Sequence, residues 1–163
     1  CGQHGNSEQW THQKDTVEQW MVNTTRFLKL YTDRRIVLRP HPRFPINPNY
    51  SHEFKNVIIA NPKPIEDSYD DFNFEEALSR AWAVINYSSN PATQAVLNGI
   101  PVFVSDHSLA WDVGNPLNCM AINEPRLPSR EKWKHMIANT EWTIEEIERG
   151  LPWQRLKPHI NIV

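Results

Sequence analysis

The sequence is poor in several things, and each scarcity argues against a class of function. Only two of its 163 residues are cysteines, Cys1 and Cys119, too few for a disulfide framework. They show neither CxxC nor Cys/His zinc spacing, so a reducing compartment, the cytoplasm, is the expected setting. Seven histidines are scattered without an HExxH or similar ligand spacing, which argues against a zinc site. No apolar run nears the ~18 residues that a membrane-spanning helix needs, and the start lacks the charged and apolar regions of a signal peptide. No membrane partner is expected. Charge of one sign is also lacking: 17 basic and 19 acidic side chains are well mixed, for a net charge of -2. That balance carries no footprint of a general nucleic-acid or anionic-membrane binder. There is no GxSxG elbow, no internal repeat and no low-complexity segment, and the opening "GQHGNSEQW" is too irregular for a dinucleotide GxGxxG.

What is present is an alternation of strand and helix signals over a length suited to one domain, 1–163. The chain opens on Cys1-Gly2-Gln3-His4-Gly5-Asn6-Ser7 without an initiator Met, and a turn of this kind ordinarily follows a strand. It reads as a chain cut at its beginning, with part of the function expected in a preceding segment. Residues 15–31 place Val17, Trp20, Met21, Thr24, Phe27, Leu28 and Tyr31 on one helical face, with Asp15 near the start and Arg26 and Lys29 toward the end. "RIVLRPHP", 35–42, and "NVIIANP", 56–62, read as short buried strands stopped by prolines. "FNFEEALSRAW" follows as a helix with Asn73 and Glu76 spaced like a capping box. Next come the strand "AVINYS", the helix "PATQAVLNG", the strand "PVFVS" and a weaker strand "CMAIN". Residues 129–163 differ: "SREKWKHMIANT" and "TIEEIERG" are helical, and "LPWQRLKPHINIV" is expected to pack back on the body. Trp20, Trp82 and Trp133 fall within helical patterns and read as core or interface.

Such alternation predicts an α/β fold, a doubly wound, Rossmann-like parallel sheet with helices on both faces. Ligands then bind outside the carboxyl ends of the strands. The stretches to weigh are Gly2 to Ser7, Arg39 to Phe44, Ala60 to Ile65, Tyr87 to Thr93 and Ser105 to Asp112. In "NYSSNPAT", Pro91 suits a first helical turn, Ser89 or Asn90 can cap it, and Gly99 ends it. The helix start, with the hydroxyls of Ser88, Ser89 and Thr93, suits an anion; the same tetrapeptide also serves simply as a cap. In "RPHPR", two prolines restrict His41 while Arg39 and Arg43 flank it with fixed positive charge. Asp67, Asp70 and Asp71 read as favourable charge ahead of a helix rather than a metal cluster, so no metal is expected. Asp106, His107, Ser108 and Asp112 in "SDHSLAWD" read as a loop rimming the same cleft, or as an ordered surface loop pinned by Trp111, rather than as a Ser-His-Asp triad.

A His-Pro pair after one strand and a Ser-Ser pair after a later one, followed by a helix and a "GIPVF" strand, resembles the C-terminal nucleotide-binding half of GT-B-type glycosyltransferases. Among these are bacterial sialyltransferases and polysialyltransferases and, more distantly, capsule Kdo transferases. The resemblance covers residues 36–105. The whole chain is also similar to proteins of tailed phages that share "YTDRRIVLRPHPR", "GIPVFVSD" and the Trp-containing tail, which would place it in a host cytoplasm. The glycosyltransferase resemblance implies a nucleotide-sugar donor as substrate, with no separate cofactor and no metal. It implies His41 at the catalytic centre, Ser88, Ser89, Asn90, Thr93, Arg39 and Arg43 on the donor phosphate, and Asn61, Pro62 and Lys63 at the base and ribose. Asp106 and His107 would lie on the sugar side. Fixed donors would stabilise the charge developing on the departing phosphate, and a protonated His41 would assist as an acid. The acceptor, whether glycan, protein or modified DNA, and the general base are implied to belong to an N-terminal domain ahead of this chain. A non-catalytic nucleotide- or glycan-binding module, and a sugar-nucleotide epimerase of the same architecture, remain alternatives.

Overall fold

In the computed structural model, which describes residues 10, 14–63, 74–117 and 122–160, the first helix begins where a capping box requires it. Helix α1, Val17–Lys29, follows Thr16, whose side-chain oxygen accepts from the Gln19 N–H at 3.2 Å, while the Gln19 side chain accepts from the Thr16 N–H at 2.8 Å. Its buried stripe is Val17, Met21, Val22, Thr25 and Leu28, turned from the predicted face toward Val22 and Thr25. Thr25 tolerates burial because its hydroxyl donates to the Met21 carbonyl at 2.8 Å, so no polar atom is stranded.

The predicted strands appear in two small parallel sheets. Strands β1, Ile36–Leu38, and β2, Val57–Ile59, pair with Ile36 opposite Val57, Val37 opposite Ile58 and Leu38 opposite Ile59. Leu38 and Val57 face the core, whereas Val37 and Ile58 are 48% and 46% exposed. The expectation of burial on both faces is therefore corrected here: side chains alternate across a strand, and only one face of this pair is covered. Strands β3, Val84–Ile85, β4, Val102–Val104, and β5, Asn115–Pro116, form the second sheet in the order β3-β4-β5. β4 is buried along its whole length, as a central parallel strand should be.

The predicted strand "CMAIN" falls partly outside the described residues. Residues 119–121 lie outside the described residues, Ile122 and Asn123 form a turn, and Asn115–Pro116 supplies the third strand. An Asn-Pro pair reads as a turn in sequence, yet an edge strand tolerates proline because one of its sides makes no ladder. Gly114 permits this strand to approach: a Cβ there would stand 2.9 Å from the Ala110 carbonyl oxygen and 2.9 Å from a Val104 methyl. Gly114→Ala is expected to destabilise by about 1–3 kcal/mol through overpacking, read as a lower denaturant midpoint at unchanged slope.

Among the helices between these strands, α2 is Tyr50–Glu53, α3 is Phe74–Ser79 and α4 is Pro91–Leu97. The predicted capping residue Asn73 lies outside the described residues. α4 starts at Pro91 as expected, and Asn90 is its N-cap residue, but no side chain caps it. It closes in a Schellman turn: the Gly99 N–H donates to the Val96 carbonyl, the Ile100 N–H donates to the Ala95 carbonyl, and Gly99 takes φ 81°. For Trp82 the helical placement and the core alternative are corrected: it falls beyond α3 and is 49% exposed. No helix among the described residues is long and apolar enough to cross a membrane.

The chain divides into two compact units, Cys1–Pro128 and Ser129–Val163. The second carries α5, Glu131–Thr140, α6, Ile144–Glu148, and α7, Leu151–Leu156, which runs into a 3-10 turn at Lys157–His159. Thr143 and Glu146 form a second capping box. The backbone N–H and hydroxyl of Thr143 hold the Glu146 carboxyl below its ordinary range. Arg155 donates to the Asn139 side chain and lies over the Trp142 ring at 5.7 Å.

Candidate functional site

The loops that leave the carboxyl ends of β1, β2, β3 and β4 are tied to one another through named contacts. After β1 the chain runs Arg39-Pro40-His41-Pro42-Arg43, with both prolines buried and His41 half-buried between them. The loop then turns, the Phe44 N–H donating to the His41 carbonyl at 2.8 Å, and re-enters the core at Ile46. The imidazole is oriented from within: its Nδ1 accepts from the Arg43 N–H at 3.1 Å, and Phe44 stands edge-on to the ring at 6.0 Å. With Nδ1 occupied as an acceptor, the neutral ring carries its proton on Nε2 and is a donor there.

The loop after β2 supports the first one. Asn61 donates to the Ile46 carbonyl at 2.9 Å and accepts from the Ile46 N–H at 3.1 Å. Its amide thus clamps the returning end of the His41 loop, a role that residue types and spacing do not reveal. Pro62 is buried beside it and Lys63 is exposed. Of the two flanking cations, Arg43 is exposed, whereas Arg39 is half-buried with its guanidinium 5.0 Å from the Phe74 ring centre. Cation-π attraction at this distance holds Arg39 toward the start of α3.

After β3, Asn86 and Tyr87 are buried and organise the turn into α4. The Asn86 amide donates to the Ser89 hydroxyl at 2.8 Å, so that hydroxyl points back at the strand end instead of capping α4. Ser88 and Thr93 are 8% and 4% exposed, while Asn90 is exposed. The Tyr87 ring packs edge-on against Trp10 at 5.1 Å and Trp20 at 6.2 Å, in the same cluster as Leu38, Ile46 and Val57. One ring therefore seats the Ser88–Thr93 turn against the strand and loop that carry His41.

The loop after β4 joins at the same residue. Both the N–H and the hydroxyl of Ser105 donate to the Tyr87 carbonyl at 2.9 Å. Asp106 and His107 stand exposed beyond it, 3.8 Å apart, with the His107 ring 6.3 Å from Tyr87. Ser108 is buried, and its hydroxyl accepts from the Ala110 N–H at 3.2 Å, so it holds a turn. Buried Ala110 and Val113 anchor this loop, and Trp111 is 39% exposed.

The His41 and Asn61 loops thus follow the strands of one sheet, the Ser88–Thr93 and Ser105–His107 loops follow those of the other, and Tyr87 shares a core cluster with Leu38 and Ile46. Gly2 to Ser7 and the carboxylates of Asp67, Asp70 and Asp71 lie outside the described residues. Sequence reasoning missed Asn86, and it included Tyr87 and Ser105 only as the first residues of candidate stretches, without the contacts that join them. The available signal was Asn86 three residues before Ser89 at a strand end, the spacing of a side chain that organises a turn. Among the described residues no group of three His, Cys, Asp or Glu is placed to hold a metal ion. No family model, curated protein or solved structure matches the chain.

Proposed function

We propose that residues 1–128 form the nucleotide-sugar donor-binding part of a metal-independent glycosyltransferase. On this reading the two parallel sheets belong to one doubly wound, Rossmann-like layer, half of a GT-B architecture. On this reading the acceptor site and the general base are not among the residues assigned to the donor. The acceptor is a glycan, a protein or modified DNA, and the setting is the cytoplasm, of a host cell if the chain is phage-encoded. The observation that carries the reading is the proline-held His41, its imidazole oriented by the Arg43 N–H on Nδ1, in a loop whose returning residue Ile46 shares a core cluster with Tyr87, just ahead of Ser88 and Ser89. Donors oriented before the reaction stabilise charge on a departing phosphate without reorganising. Arg39 and Arg43 add positive potential, and Asp106 and His107 flank the sugar.

A binding module without turnover is the second reading. It is favoured by the Asn61 amide and the Ser89 hydroxyl both being engaged within the fold. The test is thermal-shift screening of the chain and its His41→Ala variant against CMP, UMP, UDP, GDP, ADP and dTDP. One nucleotide at a hundredfold excess over its Kd is expected to stabilise the chain by about 2.7 kcal/mol, several degrees of melting temperature, and to lose that effect in the variant. An equal shift in a folded His41→Ala variant would remove His41 from the site. Binding of a nucleotide sugar without its hydrolysis or transfer would select the second reading.

A further inference from the structure

At the opposite edge of the β1-β2 sheet, where the chain passes from α1 into β1, lies an open cavity of about 670 Å³. Lys29, Leu30, Tyr31, Thr32, Asp33, Arg34 and Asn123 line it. We infer that this cavity is a binding site for neutral, hydroxyl-rich saccharides, independent of the donor-site reading.

Its walls are held in place by contacts that leave hydrogen-bonding capacity toward the cavity. The Asn123 amide donates to the Tyr31 carbonyl at 2.8 Å, which leaves its carbonyl oxygen and second N–H. The Thr32 hydroxyl accepts from the Arg34 N–H at 3.2 Å and keeps its own proton to donate. The Arg34 guanidinium rests 4.1 Å from the Trp82 ring centre, and the Trp82 N–H donates to the Ile122 carbonyl at 3.4 Å, beside Asn123. Among the described residues neither the Lys29 ammonium nor the Asp33 carboxylate is taken up in an ion pair.

The charge pattern selects the ligand class. The Asp33 carboxylate and the negative end of the α1 dipole disfavour a phosphate or sulfate, while Lys29 and Arg34 disfavour a cation. A neutral ligand with adjacent donors and acceptors satisfies both sets. Vicinal hydroxyls match the planar, two-pronged carboxylate, amide and guanidinium groups. Leu30, 76% exposed, adds apolar surface suited to the C–H face of a pyranose ring. The wide mouth and polar walls of the cavity run against a buried apolar cofactor, whose sites enclose most of the ligand.

The test probes an array of immobilised neutral and sulfated oligosaccharides with the full chain and with Asp33→Asn, Arg34→Ala and Arg34→Lys variants, each checked for folding by circular dichroism. Retention of neutral members is expected, and each variant should weaken it roughly tenfold, the effect of losing one charge-assisted hydrogen bond. Arg34→Lys should fail as Arg34→Ala does, because lysine keeps the charge but not the planar stack. Failure to retain any neutral saccharide would overturn the inference. So would preferential binding of sulfated members that Asp33→Asn strengthens, since that is the signature of an anion site, and so would neutral binding that all three variants leave unchanged. Nucleotide binding at the other edge bears on none of these outcomes.

Discussion

Tyr87→Ala is expected to cost about 3–5 kcal/mol, the loss seen when a large aromatic side chain is removed from a packed core. The ring is 6% exposed and meets Trp10 and Trp20 edge-on, a geometry that adds to simple burial. Folded domains have only about 5–15 kcal/mol of net stability, so the variant should lose on the order of ten degrees in melting temperature. Tyr87→Phe keeps the ring and should stay within about 1.5 kcal/mol of the parent, as shape-conserving swaps do. A loss below about 1 kcal/mol in Tyr87→Ala would show that the aromatic cluster does not hold the β3 loop. The consequence for the site is direct, because the Tyr87 carbonyl also receives both donors of Ser105.

Asn115→Ala is the second large effect. Asn115 is 1% exposed on β5, and its amide donates to the Val102 carbonyl at 3.1 Å and to the Arg126 carbonyl at 3.2 Å. Its side-chain oxygen accepts from the Arg126 N–H at 2.9 Å, while the Arg126 guanidinium donates to the Gly114 carbonyl at 2.9 Å. Truncation leaves three backbone groups without their partner, and each unsatisfied buried group costs about 1–3 kcal/mol. A total of about 3 kcal/mol is expected in denaturant unfolding, because the groups toward Arg126 are only part-buried and water replaces some of the loss. Asn115→Asp should not rescue it: the carboxylate keeps the acceptor, loses both donors and brings a charge into a buried position. A change of under about 1 kcal/mol in Asn115→Ala would mean that the segment at Arg126 is held by other contacts.

These two residues mark the reach of local sequence rules. Strands at Ile36–Leu38, Val57–Ile59, Val84–Ile85 and Val102–Val104 were legible, because short apolar runs between proline and glycine signals have few other uses. The start of α4 at Pro91 and its end at Gly99 were legible for the same local reason. The strand at Asn115–Pro116 was not: its residues favour a turn, and only the buried amide network and the close approach at Gly114 make it a strand. Trp82 carried a helical signal, yet its indole sits on the surface under Arg34.

The same division runs through the candidate site. The residue types at the strand ends, His41 between prolines and Ser88-Ser89 ahead of a helix, are sequence properties, as are the near-balance of charge and the parallel α/β character. Local rules suffice for those, since each depends on neighbours a few residues away. The role of each side chain was decided by tertiary contacts. Asn61 is drawn to Ile46 across fifteen positions, the Ser105 hydroxyl to Tyr87 across eighteen, and the Asn123 amide to Tyr31 across ninety-two. A hydrogen bond between positions so far apart leaves no periodicity in the chain, because its partner is chosen by packing rather than by spacing.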